Sequence, residues 1–210
     1  MQVQLLHIGK KFNRQWLFKD LSASMPTASS TALVGNNGSG KSTLLQIIYG
    51  WQVPSVGEIM IGENQITIKP EEVHRIASFA APYLELPEEL TFQELLHFHF
   101  KFKQLQDGLH FSDLVEMSGL SGNENKPIRY YSSGMKQRVK LALSLYSKHE
   151  LLLLDEPCSN LDEQGINWYR NIMINRKQPA TTIIASNQSF EYDFCSASLN
   201  ISDFKRVPAQ

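Results

Sequence analysis

The chain has 210 residues, of which 42% are hydrophobic and 20% charged, with a formal net charge of −1. This fits one globular domain with a sizeable core, gives no overall basic footprint for nucleic acid, and contains no run near the ~18 apolar residues of a membrane span. The opening "MQVQLLHIGKKF" lacks the apolar stretch of a signal peptide, and Cys158 and Cys195 make neither metal-type spacing nor a disulfide framework, so a reducing cytosol is the expected compartment.

In chain order, "TALVG" (31–35) reads as a buried strand running into a loop. The loop is "GNNGSGKST", residues Gly35, Asn36, Asn37, Gly38, Ser39, Gly40, Lys41, Ser42 and Thr43, which fits G-x-x-x-x-G-K-[ST]. Its glycines permit backbone angles that a Cβ would forbid, so successive N–H groups can wrap a phosphate chain at a helix start. Lys41 can then reach the β- and γ-phosphates of ATP, and Ser42 can ligate Mg²⁺. The helix that follows carries Leu44, Leu45, Ile47 and Ile48 on one face and should stop at Gly50. "GEIMIGENQITI" alternates and turns as antiparallel strands do, and "IASFAA" (76–81) is a further strand.

From Pro82 to about Tyr146 the pattern becomes helical, an insertion of roughly 60 residues in a strand-rich shell. Thr91 and Glu94 form a capping box ahead of "FQELLHFHFKF", and "FSDLVEMSGL" reads as a second helix. His97 and His99, two apart, do not share a helical face and make no metal pair. The aromatics of this stretch are either the core of the insertion or a groove for a partner helix. Next comes "YSSGMKQRVKLALSLY", where Ser132, Ser133 and Gly134 open a long helix, a second anion-inviting helix start. Lys136, Arg138 and Lys140 read as its solvated face.

"LLLLDEP" is a core strand with Asp155 at its carboxyl end, where α/β sheets bind ligands. Asp155 is placed to hold Mg²⁺ through water, and Glu156 is a candidate general base for an attacking water. "SNLD" (Ser159, Asn160, Leu161, Asp162) follows, and Asp162 can cap the next helix. "TTIIAS" then gives a last core strand before Asn187. Strands alternating with helices predict an α/β fold with a mainly parallel sheet.

In this order, the P-loop, helical insertion, "YSSGM", "LLLLDEP" and "SNLD" resemble the ATP-binding cassette (ABC) family, the motor subunits of ABC transporters, over nearly the whole chain. The resemblance implies the ABC ATPase fold: a P-loop NTPase core with an antiparallel β subdomain and a helical insertion, one domain over 1–210 with the helical subdomain at roughly 82–146. It implies ATP and Mg²⁺ as ligands. Phe12 would stack on adenine, with core packing as its other reading and Trp16 as a weaker stacking candidate. Ser132, Ser133, Gly134 and Met135 stand where the family has its Leu-Ser-Gly-Gly-Gln signature, which caps the γ-phosphate of ATP on a second, head-to-tail chain. Ser159 to Asp162 correspond to the D-loop between the two ATP sites.

Three departures accompany the match. Tyr131, Ser133 and Met135 replace the signature's Leu, first Gly and Gln. Ala81 and Pro82 occupy the place of the Q-loop glutamine, and Gln93 lies too far along to supply it. Asn187 stands for the switch histidine; it can donate to a γ-phosphate but cannot titrate near neutral pH. The implied function is ATP binding and hydrolysis that drives a transporter. Its partners would be permease subunits on separate chains and a second cassette, identical or different, with no nucleic acid. The location would be the cytoplasmic face of the cell membrane. A slowly hydrolysing regulatory module and a soluble non-transport ABC protein are the other readings.

Overall fold

The computed structural model describes residues 1–63, 66–176 and 179–204. The chain opens with β1 (Gln2–Phe12) and β2 (Gln15–Met25), a hairpin turned at Asn13, whose φ is 54°. Strand β3 (Ser30–Val34) leads through the glycine-rich loop into α1 (Lys41–Tyr49). Then follow β4 (Val56–Glu63), β5 (Ile66–Thr67), the short α2 (Val73–Ile76) and β6 (Ala77–Ala80). The insertion holds α3 (Phe92–His99), α4 (Leu114–Met117) and α5 (Ser133–Tyr146). Strand β7 (Leu151–Asp155), α6 (Glu163–Ile174), β8 (Thr181–Ala185) and β9 (Ala197–Asn200) complete the order.

Two sheets result. One is antiparallel, in the order β2-β1-β4-β5, and the other has the order β6-β7-β8-β3-β9 with parallel pairings throughout. All five residues of β7 and of β8 are buried, as central strands covered on both faces should be. Their period of two divides the interior. Leu151, Leu153, Ile183 and Ala185 face a core with α1 and the antiparallel sheet, while Leu152, Leu154 and Ile184 face a second core with α3, α5 and α6.

Register places the site. Ala185 pairs with Asp155 on one side and Leu33 on the other. The ends of β3, β7 and β8 are therefore level, and the segments after them emerge along one carboxyl edge, where such sheets hold ligands.

The helix-end signals act as the sequence indicated. Gly50 adopts φ 88° and its N–H closes onto Gln46 and Ile47 carbonyls. Thr91 and Glu94 form both bonds of the capping box, at 2.8 and 3.2 Å. The insertion is less helical than expected, however. "FSDLVEMSGL" yields only a 3₁₀ turn at Phe111–Asp113 and the four residues of α4. Gly119 at positive φ follows the end of the helix, Gly122 turns the chain again, and Pro127 opens another 3₁₀ turn at Ile128–Tyr130. Lys136, Arg138 and Lys140 also depart from the expected solvated face. Lys136 pairs with Glu88 at 2.5 Å, Arg138 reaches Asp162 at 3.3 Å, and Lys140 bonds the Pro82 carbonyl. All three tie α5 to neighbouring segments.

Candidate functional site

The loop from Gly35 to Gly40 ends on Gly40 at φ 107°, with no side chain capping α1. A Cβ at Gly40 would sit 2.7 Å from the Phe18 ring. Only glycine lets the loop turn there, and the turn leaves the first N–H groups of α1 open to an anion. Ser39 lies buried beside them with its hydroxyl unpartnered among the described residues.

Lys41 is 6% exposed, and its ammonium donates to the Gly35 carbonyl at 2.8 Å, the Asn36 carbonyl at 3.3 Å and Asn187 Oδ1 at 2.8 Å. Burial pushes its pKa down, while Glu156 and Asp155 push it back up. The Asn187 amide Nδ2 donates to Asn37 Oδ1. Asn187 is therefore bonded to the P-loop through both ends of its amide.

Asp155 is 1% exposed, and among the described residues neither of its oxygens receives a hydrogen bond of good geometry. Burial raises its pKa first and foremost, and the nearby Ser42 and Tyr83 hydroxyls draw it down. An orphaned carboxylate beside a serine hydroxyl is a hard, all-oxygen donor set, which suits Mg²⁺. Glu156, next in sequence, is exposed and held at φ 42°; its N–H donates to the Ala185 carbonyl at 2.8 Å. It borders a cleft of ≈ 450 Å³ together with Asn37, Ser159, Asn187 and Gln188.

The second helix start is capped from within. Ser132 Oγ accepts the Met135 N–H at 3.2 Å, and Ser132 and Ser133 are both exposed. Gly134 passes so close to the "SNLD" segment that a Cβ there would lie 2.7 Å from the Asn160 carbonyl. Asp162 caps α6 through the Gly165 N–H at 2.8 Å. Among the described residues no hydrogen bond joins 132–135 to the P-loop of the same chain.

Phe12 stands at the β1–β2 tip, 50% exposed, with the Lys10 ammonium 5.3 Å from its ring centre, so it is not core packing. Trp16 lies between the Lys11 and Lys19 ammoniums, at 5.5 and 4.9 Å. The insertion aromatics divide: Phe92 is buried, while Phe98 and Phe102 are exposed and pair with each other at 5.3 Å.

Two residues outside the sequence motifs reach the site. The Tyr83 hydroxyl accepts the Gln46 amide at 3.0 Å and lies beside Asp155, next to where a Q-loop glutamine was sought. A tyrosine just past Ala81 and Pro82 was the one available signal. Glu191 lies behind the Glu156 turn, and nothing local in the sequence marks it.

A strand edge that sets a P-loop lysine near a buried aspartate belongs to the P-loop nucleoside triphosphatases, and the second helix start narrows that class to the ATP-binding cassettes. A model of the ABC transporter family matches residues 18–159. The chain belongs to that family and is an ATP-binding ATPase. The uncharacterized ABC transporter ATP-binding protein YybJ of Bacillus subtilis is 30% identical over 196 residues, which span 90% of this chain and 86% of YybJ. The cytochrome c biogenesis ATP-binding export protein CcmA of Vibrio cholerae is 32% identical over 170 residues, 80% of this chain and 82% of CcmA. The dimeric bacterial ABC transporter cassette MJ0796 shares the fold, with a TM-score of 0.79 at 22% identity over 95% of each chain. No helix among the described residues is long and apolar enough to cross a membrane.

Proposed function

We propose that this chain is one cassette over 1–210, with 82–146 as its helical arm, and that it hydrolyses Mg-ATP bound between itself and a second cassette. The observation that carries this is the level carboxyl edge of β3, β7 and β8. It sets Lys41, Asp155 and Asn187 around one P-loop, while the exposed start of α5 makes no hydrogen bond to that loop among the described residues.

When ATP arrives, its phosphates take the open N–H groups of α1, and Lys41 exchanges two loop carbonyls and Asn187 for phosphate oxygens. Asn187, released, turns its Nδ2 donor toward the γ-phosphate. Phe12 stacks on adenine. Ser42 and Asp155 would hold Mg²⁺, which neutralises charge building up on the phosphates. Glu156 takes the proton of the attacking water. Ser132 and the Gly134 N–H donate to ATP on the other cassette, and Ser159–Asp162 lie along the boundary between the two sites. ATP thus joins the chains and hydrolysis parts them.

The second cassette is either a copy of this chain or a related one. Force passes to permease subunits on separate chains, which would hold the cassette at the cytoplasmic face of a membrane. The exposed Phe98–Phe102 pair and the half-exposed Trp51 offer apolar surface for such a contact.

The test replaces Glu156 by Gln. The amide keeps size and polarity but accepts no proton. Nucleotide affinity should be unchanged, and phosphate release should fall by about 10²–10⁴-fold. Hydrolysis at the wild-type rate would move the base elsewhere.

A further inference from the structure

Two loops carry the groups assigned to the attacking water: the turn 155–159 presents Glu156, and the loop 186–188 presents Asn187. One buried carboxylate joins them. Glu191 is 2% exposed, and its Oε1 accepts the Cys158 N–H at 2.7 Å. The Ser186 hydroxyl faces the same carboxylate, and Ser186 Oγ accepts the Gln188 N–H at 2.8 Å. Glu191 is also fixed from behind. The Tyr169 hydroxyl of α6 donates to its carbonyl at 3.0 Å, and Arg170 bonds the Phe190 carbonyl and, at 2.9 Å, Asp193.

This arrangement calls for an explanation. A carboxylate shut away from water is unfavourable, and an apolar side chain would fill the space without that penalty. Glu191 Oε2 has no partner among the described residues, and no ion pair is formed with it there. Its one hydrogen bond of good geometry among the described residues holds a backbone N–H two residues after Glu156. Glu156 itself sits at φ 42°, a conformation that a non-glycine residue keeps only where its surroundings over-determine it. The local holds are few: Glu156 N–H to Ala185, Ser159 N–H to the Glu156 carbonyl at 3.0 Å, Leu161 N–H to the Cys158 carbonyl at 3.0 Å, Gln137 Nε2 to the Pro157 carbonyl at 2.8 Å, and Glu191 to Cys158. Without Glu191 the Cys158 N–H would be a buried orphan, and the turn would shift to find it a partner.

We propose that Glu191 is a positioning residue for ATP hydrolysis, whose carboxylate fixes the turn that aims Glu156 and ties it to the loop that carries Asn187. The proposal rests on the ATPase reading above. It concerns the chemical step and not nucleotide capture, because Glu191 touches neither the P-loop nor Lys41.

The experiment measures single-turnover Mg-ATP hydrolysis, equilibrium affinity for a fluorescent ATP analogue and melting temperature. It compares the full-length wild type with Glu191→Ala, Glu191→Asp, Glu191→Gln and Lys41→Ala. Alanine removes the acceptor, and aspartate draws it back by one methylene. Both should slow the chemical step by about 10–100-fold, as loss of an orienting partner does at other sites, with affinity unchanged. Glutamine, whose amide oxygen can take the Cys158 N–H, should recover most of the rate. Because aspartate keeps the charge, it supplies the readout if the alanine variant melts below the assay temperature. The proposal is overturned if aspartate runs at the wild-type rate, if glutamine falls as far as aspartate, or if affinity drops in step with rate. A wild type that neither binds nor hydrolyses ATP, with Lys41→Ala no different, would overturn the ATPase reading and this inference with it. An active wild type with unaltered Glu191 variants overturns the inference alone.

Discussion

The Lys41 ammonium points its donors at Gly35, Asn36 and Asn187, so ATP must compete with ready-made bonds. It prevails because a charge-assisted bond to a phosphate is stronger than one to a neutral carbonyl. Lys41→Ala should therefore weaken ATP binding by roughly 1.5–3 kcal/mol, seen in a nucleotide titration. An unchanged affinity would refute the P-loop assignment. Asn187 bears on the chemistry. Asn187 is an exposed residue whose side chain bonds Lys41 and Asn37. In the proposed role it is a shorter, uncharged substitute for a switch histidine, and one missing donor at such a site costs a factor of ~10²–10³. Basal hydrolysis should be slow, Asn187→Ala slower and Asn187→His faster in single-turnover assays. Three equal rates would remove Asn187 from the γ-phosphate. Lys41, Ser42, Asp155 and Glu156 were legible in the sequence because each mechanism sits in a short segment with a fixed spacing. Tyr83 and Glu191 were not. Tyr83 reaches Asp155 only through the pairing of β6 with β7, and Glu191 reaches Cys158 across the gap between two loops.

Among the elements, the helices depend on caps that can be tested singly. Asp162 caps α6 and also lies in the segment against Gly134, so the cap must be separated from the proposed D-loop role. Asp162→Ala should cost about 1 kcal/mol in a urea titration, and Asp162→Asn much less, since the amide oxygen still accepts the Gly165 N–H. A loss of hydrolysis in both variants would show the D-loop role separately from the cap. Two buried histidines, His99 in the insertion and His149 just after it, should make stability sensitive to acid. His99 bonds Ser147 at 2.8 Å and burial lowers its pKa to about 4, while His149, 6% exposed against Arg176, is lowered to about 3, again mainly by burial. Unfolding returns both to their ordinary 6.5, so below that pH the unfolded chain binds more protons. Melting temperature should fall as pH drops from 6.5 toward 4, and His99→Asn should flatten part of the fall. A profile unchanged by that substitution would contradict the buried neutral histidine. At this scale α1, the capping box and the all-buried β7 and β8 could be read from sequence, because cap chemistry and apolar runs are local signals. The β1–β2 hairpin could not. Register shifts between Leu5 and Ile8, Ile8 and Lys10, and Lys10 and Lys11 break the alternation that marks a strand.

The molecule as a whole presents one nucleotide edge and one exposed helix start that its own P-loop does not use. The order of motifs made that division legible, since the P-loop and "YSSGM" lie on opposite sides of the insertion in sequence. The sequence did not show how Gly134 and Asn160 meet, which needs α5 and the turn after β7 in their final places. In the proposed sandwich the closeness would have a consequence: ATP of a second cassette touching Ser132 and Gly134 would also press on Asn160 and, through Gln137 and Pro157, on the turn that carries Glu156. The two sites of a sandwich would therefore sense each other through segments of a single chain. The most direct test is the mass of Glu156→Gln in solution, measured by light scattering with and without Mg-ATP. The account predicts a 23.9 kDa monomer without nucleotide and a mass twice that with it, reversed when ATP is removed. A chain that binds Mg-ATP with normal affinity and stays at the monomer mass at every concentration would contradict it.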